Sequence, residues 1–305
     1  MTFHYAVDPA AVSACDPEAL HRELAHWNRR RMAPSAPHAA WAEELREDHR
    51  MRWREGVWME GLRSEAAALA AKAPSDPDGF AAWFQGLITT GPGQHDPLFD
   101  WLEHDASAEQ MAWFLTQEAA GEAGFDDLTA LTQVKLPTSA KLELARNYWD
   151  EMGRGGEAGM HGPMLERTME SLSLTPTIDG TVWESLALAN TMTALATTRR
   201  YAWHSVGALG VIELTAPTRV GKVAEGLKRL GCPPIARKYF HLHAVLDVKH
   251  AADWIENALR PLVTEDPARA AWLAEGALMR LICGRRCFDA YRAHLWAPTM
   301  AMEAA

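Results

Sequence analysis

Along most of the chain, apolar residues recur every three or four positions and seldom alternate with polar ones, a pattern that predicts helices almost throughout. The expected helices cover residues 17–32, 38–72, 77–88, 107–120, 124–132, 137–152, 161–172, 180–197, 199–215, 217–230, 234–263 and 267–295. The nearest thing to a strand, "GVIEL" at 210–214, continues an apolar helical pattern that starts near Thr198. "DPEAL" and "SAEQM" read as helix starts, with Asp or Ser placed ahead of an acidic first turn. Breaks fall at "GRGGEAG" (153–159), "LTPTIDG" (174–180) and "GCPP" (231–234). "APSDPDG" (73–79) separates an N-terminal helical extension, residues 1–75, from a main domain, residues 76–305. The region 91–107 reads as loop-rich.

Composition narrows the class. The chain has 305 residues, 48% of them hydrophobic and 23% charged, enough for one large domain with an extension. A formal charge of −10 and the lack of a basic patch exclude a nucleic-acid surface. No apolar run reaches the roughly 18 residues of a membrane span. The first twenty residues lack the basic and apolar regions of a signal peptide. Four cysteines (Cys15, Cys232, Cys283, Cys287) make no disulfide framework, so a reduced, cytoplasmic protein is expected. Cys283 and Cys287 sit in an amphipathic helical pattern and are expected to be buried structural thiols.

Candidate chemistry centres on "YFHLHAVLDVKH", residues 239–250. His243, Asp247 and His250 stand at i, i+4 and i+7, on one helix face. Such spacing suits metal ligation, and imidazole with carboxylate is a donor set that iron and manganese take. It also suits a solvated face or a local hydrogen-bond pair. Ala244, Val245, Leu246 and Val248 make the helix largely apolar, which predicts burial, and buried charges need partners. Further acids stand in apolar surroundings: Glu118 after "AWFL", Glu151 before the glycine-rich break that His161 ends, and Glu213 in "ALGVIEL".

The order Glu118, Glu151 with His161 ten residues on, Glu213, then His243-x3-Asp247-x2-His250 resembles the heme-oxygenase-like di-iron oxidases, a family of iron-containing redox enzymes. "DEMGRGG" followed by "MHGPML" is similar to that family's Asp-Glu-x-Gly-x-Gly and His stretch, and "HDPLFDWLE" (95–103) to the segment before its first ligand helix. The likeness covers roughly residues 77–295. Glu122, one turn after Glu118, is an alternative first ligand. The resemblance implies an all-α, heme-oxygenase-like helical bundle, a fold shared with thiaminase II and the pyrroloquinoline-quinone synthase. It implies two Fe(2+) per chain, with Glu118, His161 and His250 on one, Glu213, His243 and Asp247 on the other, and Glu151 bridging. It further implies O2 as co-substrate, an external electron donor and a small-molecule substrate, while charge and hydropathy lead to no expected nucleic-acid or membrane partner.

The activity so implied is an O2-activating oxygenase or oxidase in a natural-product pathway, acting on an amine or amino acid by N-oxygenation or oxidative C–C or C–N cleavage. Fatty-acid desaturation or decarboxylation by the same di-iron family is an alternative, as is a metal-independent oxidase of the pyrroloquinoline-quinone synthase type. A helical metal-storage or regulatory protein is the reading outside enzymes. Tyr148, Trp149, Trp203, His204, Tyr239 and His241 are candidates to line a pocket. Arg219 or Lys238 is suited to hold a substrate carboxylate. The extension is expected to cover the bundle, make a homodimer contact or close over the site.

Overall fold

The computed structural model describes residues 16–121 and 124–297. Within them thirteen α-helices form: α1 (Pro17–Met32), α2 (Trp41–Ala70), α3 (Pro77–Thr90), α4 (Pro97–His104), α5 (Ala108–Gly121), α6 (Phe125–Thr132), α7 (Thr138–Glu151), α8 (His161–Ser171), α9 (Trp183–Thr197), α10 (Ala202–Arg229), α11 (Pro234–Trp254), α12 (Arg260–Glu265) and α13 (Arg269–Leu295). There is no strand among the described residues. Cys15 and Glu122 lie outside them.

Three helices start the same way. Asp16, Asp76 and Asp96 each precede a proline, and each carboxylate accepts a backbone N–H of the first turn, from Ala19, Gly79 and Leu98. Helix α5 opens on a reciprocal capping box: Ser107 Oγ accepts the Gln110 N–H, and Gln110 Oε1 accepts the Ser107 N–H. The third Asp-Pro start makes α4 a helix inside the stretch that reads as loop.

Two other expectations are corrected. Helix α10 runs unbroken through Pro217, where a break is expected. Pro217 has no N–H to give the Glu213 carbonyl one turn back, and packing on both sides holds the helix regardless. The helix expected over 234–263 is divided by a π-helical turn, Ile255–Leu259, between α11 and α12.

Helix α10 lies at the centre, packed along α11, α13 and α4. Its approach to α13 is backbone to backbone. A Cβ on Gly207 would stand 1.9 Å from the Leu273 carbonyl oxygen, and one on Gly276 equally close to that of His204, so neither position tolerates a side chain. One apolar cluster gathers around Trp254, Leu209, Leu144 and Phe84. A second gathers around Phe99, Phe114, Phe240 and Phe288. Helix α1 packs on α9 and α2 on α13, and His21 is buried against Trp58 and Trp183.

Candidate metal centre

Helix α7 ends at Glu151 and α8 begins at His161. The glycine-rich segment between them folds into a tight return in which Met152 and Met160 form an isolated antiparallel bridge. Gly153 takes φ 58°, and a Cβ there would lie 2.4 Å from the Gly159 carbonyl carbon. The return brings His161 Nδ1 to 2.7 Å from Glu151 Oε2. At that separation the buried ring nitrogen has no hydrogen-bond partner.

Helix α10 contributes Glu213, and α11 contributes His243, Asp247 and His250. On α11 the usual amphipathic order is inverted. Asp247 and His250 are 3% and 4% exposed, whereas Val245 and Val248 are 67% and 60% exposed. The sequence-based expectation that the valines bury this helix is therefore wrong: the polar stripe faces inward and the valines face out. Leaving apolar side chains in water while carboxylate and imidazole go inside costs free energy on both counts, so the interior must offer these groups strong partners.

The donors divide into two trios that share Glu151. Glu151, His161 and His243 have ligand atoms within 4.8 Å of one another, and so do Glu151, Glu213 and His250. The His161 and His243 rings stand edge to face at 4.6 Å. His250 Nδ1 lies 3.4 Å from Glu213 Oε2 and 3.9 Å from Asp247 Oδ1. This grouping differs from the one the resemblance implies, which sets His161 with His250 and His243 with Glu213. Glu118 and Asp247 belong to neither trio, although Asp247 flanks His250. Glu118 lines a cavity beside the trios, where its Oε1 accepts the Tyr291 hydroxyl at 2.8 Å.

Neighbouring groups fix the orientation of these donors. His243 Nδ1–H donates to the Tyr239 carbonyl oxygen at 2.8 Å, leaving Nε2 for the cluster. His250 Nε2 meets Asp150 Oδ2 at 3.1 Å, and Asp150 Oδ1 accepts Arg154 Nε at 2.6 Å. Asn147 Nδ2 donates to Glu213 Oε1 at 2.5 Å. Asn147 escapes the sequence reading, although it stands one helical turn before Glu151 and shares its face; Asp150 opens the "DEMGRGG" stretch there but is given no role.

Charge is concentrated here. Burial, then the Glu213 carboxylate, raise the Glu151 carboxyl well above its usual range. Burial lowers the His250 imidazole, but Glu213 and Asp150 outweigh it and hold the ring up to about 9. Burial and the charge of His250 lower His161 to about 4, and burial with His161 lowers His243 to about 4. Three buried carboxylates and three imidazoles with nitrogen and oxygen donors only, and a 2.7 Å contact that is not a hydrogen bond, fit a bound cation of the non-heme iron type.

The sequence profile of iron-containing redox enzymes matches residues 112–285, more than half of the chain, a span that includes every donor named above. The chain belongs to the iron-containing redox enzyme family. As in the sequence-based expectation, this iron-containing redox enzyme is an all-α, heme-oxygenase-like bundle. A CADD-like protein of unknown function from Nostoc punctiforme PCC 73102 shares its fold, with a TM-score of 0.52 at 17% identity over 79% of this chain and 97% of its own. A domain of unknown function with a heme oxygenase-like fold from Shewanella denitrificans OS217 aligns with a TM-score of 0.49 at 16% identity, over 73% of this chain and 92% of its own. No curated protein matches the sequence. No helix among the described residues is long and apolar enough to cross a membrane.

Beside the trios lies a cavity of about 130 Å3, walled by Phe99, Phe114, Val223 and Phe240 and reaching Glu151, Glu213, His243 and Asp247. Of the candidate lining residues, Tyr239 faces it. Trp149 is 54% exposed, Trp203 and His204 border a separate hollow, and His241 and Lys238 edge a surface groove. The Cys283 and Cys287 thiols are buried and neither belongs to a ligand group.

Proposed function

We propose that this iron-containing redox enzyme is an O2-activating non-heme di-iron oxygenase or oxidase acting on a small organic substrate, an amine or amino acid, with an external electron donor. The observation that carries the reading is Glu151, one carboxylate common to two buried trios. A carboxylate has two oxygens and can serve two cations at once, whereas an imidazole serves one. On these residues Glu151 would bridge, His161 and His243 would hold one iron, and Glu213 and His250 the other, with Asp247 beside His250. Iron held by these residues would supply electrons for the reduction of O2.

The protein's own groups do the rest. Asp150 keeps the Nε2 proton of His250 and turns Nδ1 inward, and the Tyr239 carbonyl does the same for His243 through the other ring nitrogen. Asn147 holds one oxygen of Glu213. The aromatic and aliphatic cavity wall keeps water from a substrate presented to Glu151 and His243.

Oxygen uptake tests this. Protein loaded with Fe(II) and a reductant should consume O2 with amines or amino acids, and metal-stripped protein should not. Substrate oxidation by the stripped protein at the same rate would contradict the reading and favour the metal-independent quinone-synthase type.

A further inference from the structure

The cavity has a second polar end, contributed by α10, α13 and α5. Arg219 and Arg280 line it, and neither makes a salt bridge among the described residues. The Arg280 Nε is buried with no hydrogen-bond partner. The Arg219 guanidinium lies over the Phe99 and Phe288 rings, 5.8 and 5.3 Å from their centroids, and donates to Thr215 Oγ1 at 3.2 Å. These contacts fix its plane without neutralising it. Of the acids lining the cavity, Glu118 is the one at this end, and it is already hydrogen-bonded to Tyr291, whose hydroxyl also meets Ser185 Oγ at 2.6 Å; Asp96, the other acid whose charge reaches Arg219, is paired with Arg292.

Two guanidiniums therefore face one carboxylate inside an apolar cavity. An uncompensated cation in such a place is costly unless an anion completes it. A guanidinium fork matches a carboxylate in bidentate geometry. Glu151 and His243 line the same cavity, and most of its remaining wall is apolar, with Phe99, Phe114, Val223 and Phe240. We infer that Arg219 and Arg280 form an acid-binding end, so that the molecule presented to the Glu151 cluster is a small organic acid with an apolar body. This rests on the reading of that cluster as the reaction centre, and it selects acids, amino acids among them, over simple amines. The volume sets the size. At about 130 Å3 the cavity is slightly smaller than the roughly 150 Å3 that holds one benzene ring, so the body is no larger than one small ring or a short chain, not a long fatty tail.

The test is calorimetric binding to the Fe(II)-loaded protein under anaerobic conditions, with benzoate, hexanoate and leucine, each against its primary amide. The acids should bind about tenfold or more tighter than the amides. Arg280→Gln and Arg219→Gln should remove that preference, leave amide binding unchanged and keep the wild-type iron content. Should a glutamine variant fail to fold, Arg280→Lys, which keeps the charge but loses the fork, should weaken the acids and spare the amides. Equal binding of acid and amide by the wild type, or a preference that survives loss of both arginines, would overturn the inference. Iron content separates the two failures: iron without acid preference sinks only this inference, and acid preference without iron sinks the reading of the centre.

Discussion

His161 Nδ1 lies 2.7 Å from Glu151 Oε2 because a glycine-rich return sends the chain straight back from the end of one helix to the start of the next. The contact has hydrogen-bond length, yet the ring nitrogen has no hydrogen-bond partner. Two donors aimed at a common point show that relationship.

The return should be sensitive to its first glycine. Gly153→Ala puts a Cβ into the Gly159 backbone at a positive φ, at a cost of about 1–3 kcal/mol. The expected result is a melting temperature lower by several degrees and weakened iron binding, with helical content kept by circular dichroism. Wild-type iron affinity in this variant would mean that the return does not position the pair.

Asp150 should matter without touching a metal. Asp150→Asn leaves a group that can still meet His250 Nε2 but no longer carries the charge that holds the ring. Supporting partners of this kind are worth about 10- to 100-fold in metal affinity. A competition titration with Co(II) should show that loss, and an unchanged affinity would remove Asp150 from the account.

The two trios predict different losses. His161→Ala should remove iron from the Glu151–His243 side and His250→Ala from the Glu213 side, each leaving about half the wild-type content by elemental analysis. If either variant loses nothing, its histidine is not a ligand.

Much of this was legible in the sequence, and the parts that were not have physical reasons. That His243, Asp247 and His250 share one face of α11 follows from helical spacing, which leaves open whether that face points inward, and Glu151 with His161 follows from a glycine break between two helices. Spacing could not say which donors share a neighbour, because that depends on how α10, α8 and α11 cross. The valines misled because burial was inferred from side-chain polarity, while α11 buries the opposite face. Arg280 gave no signal, since one of five arginines in an amphipathic helix reads as a side chain whose head escapes to water. Helix α4 was hidden by glycines and histidines on its approach, although its Asp-Pro start repeats those of α1 and α3.

Away from the centre, acid stability should depend on His21. Its ring is fully buried against Trp58 and Trp183, and Nε2 has no hydrogen-bond partner. Burial, then the Arg286 charge, lower its pKa to about 3. The unfolded chain binds this proton below about 6.5 and the folded one only near 3. The contribution of His21 is therefore complete above 6.5 and is lost as the pH falls, by about 1.4 kcal/mol per unit. Melts between pH 7 and 4 should show a shallower acid loss in His21→Phe than in wild type. Parallel curves would contradict the assignment.

The central claim is that one carboxylate, Glu151, joins two iron sites. Anaerobic Fe(II) titration of metal-stripped protein, read as iron bound per chain, tests it most directly. Wild type should saturate at two Fe(II) per chain, and Glu151→Ala should lose binding at both sites while keeping its helical content. Saturation at one iron or none, or a Glu151→Ala protein that still binds two, would contradict the claim.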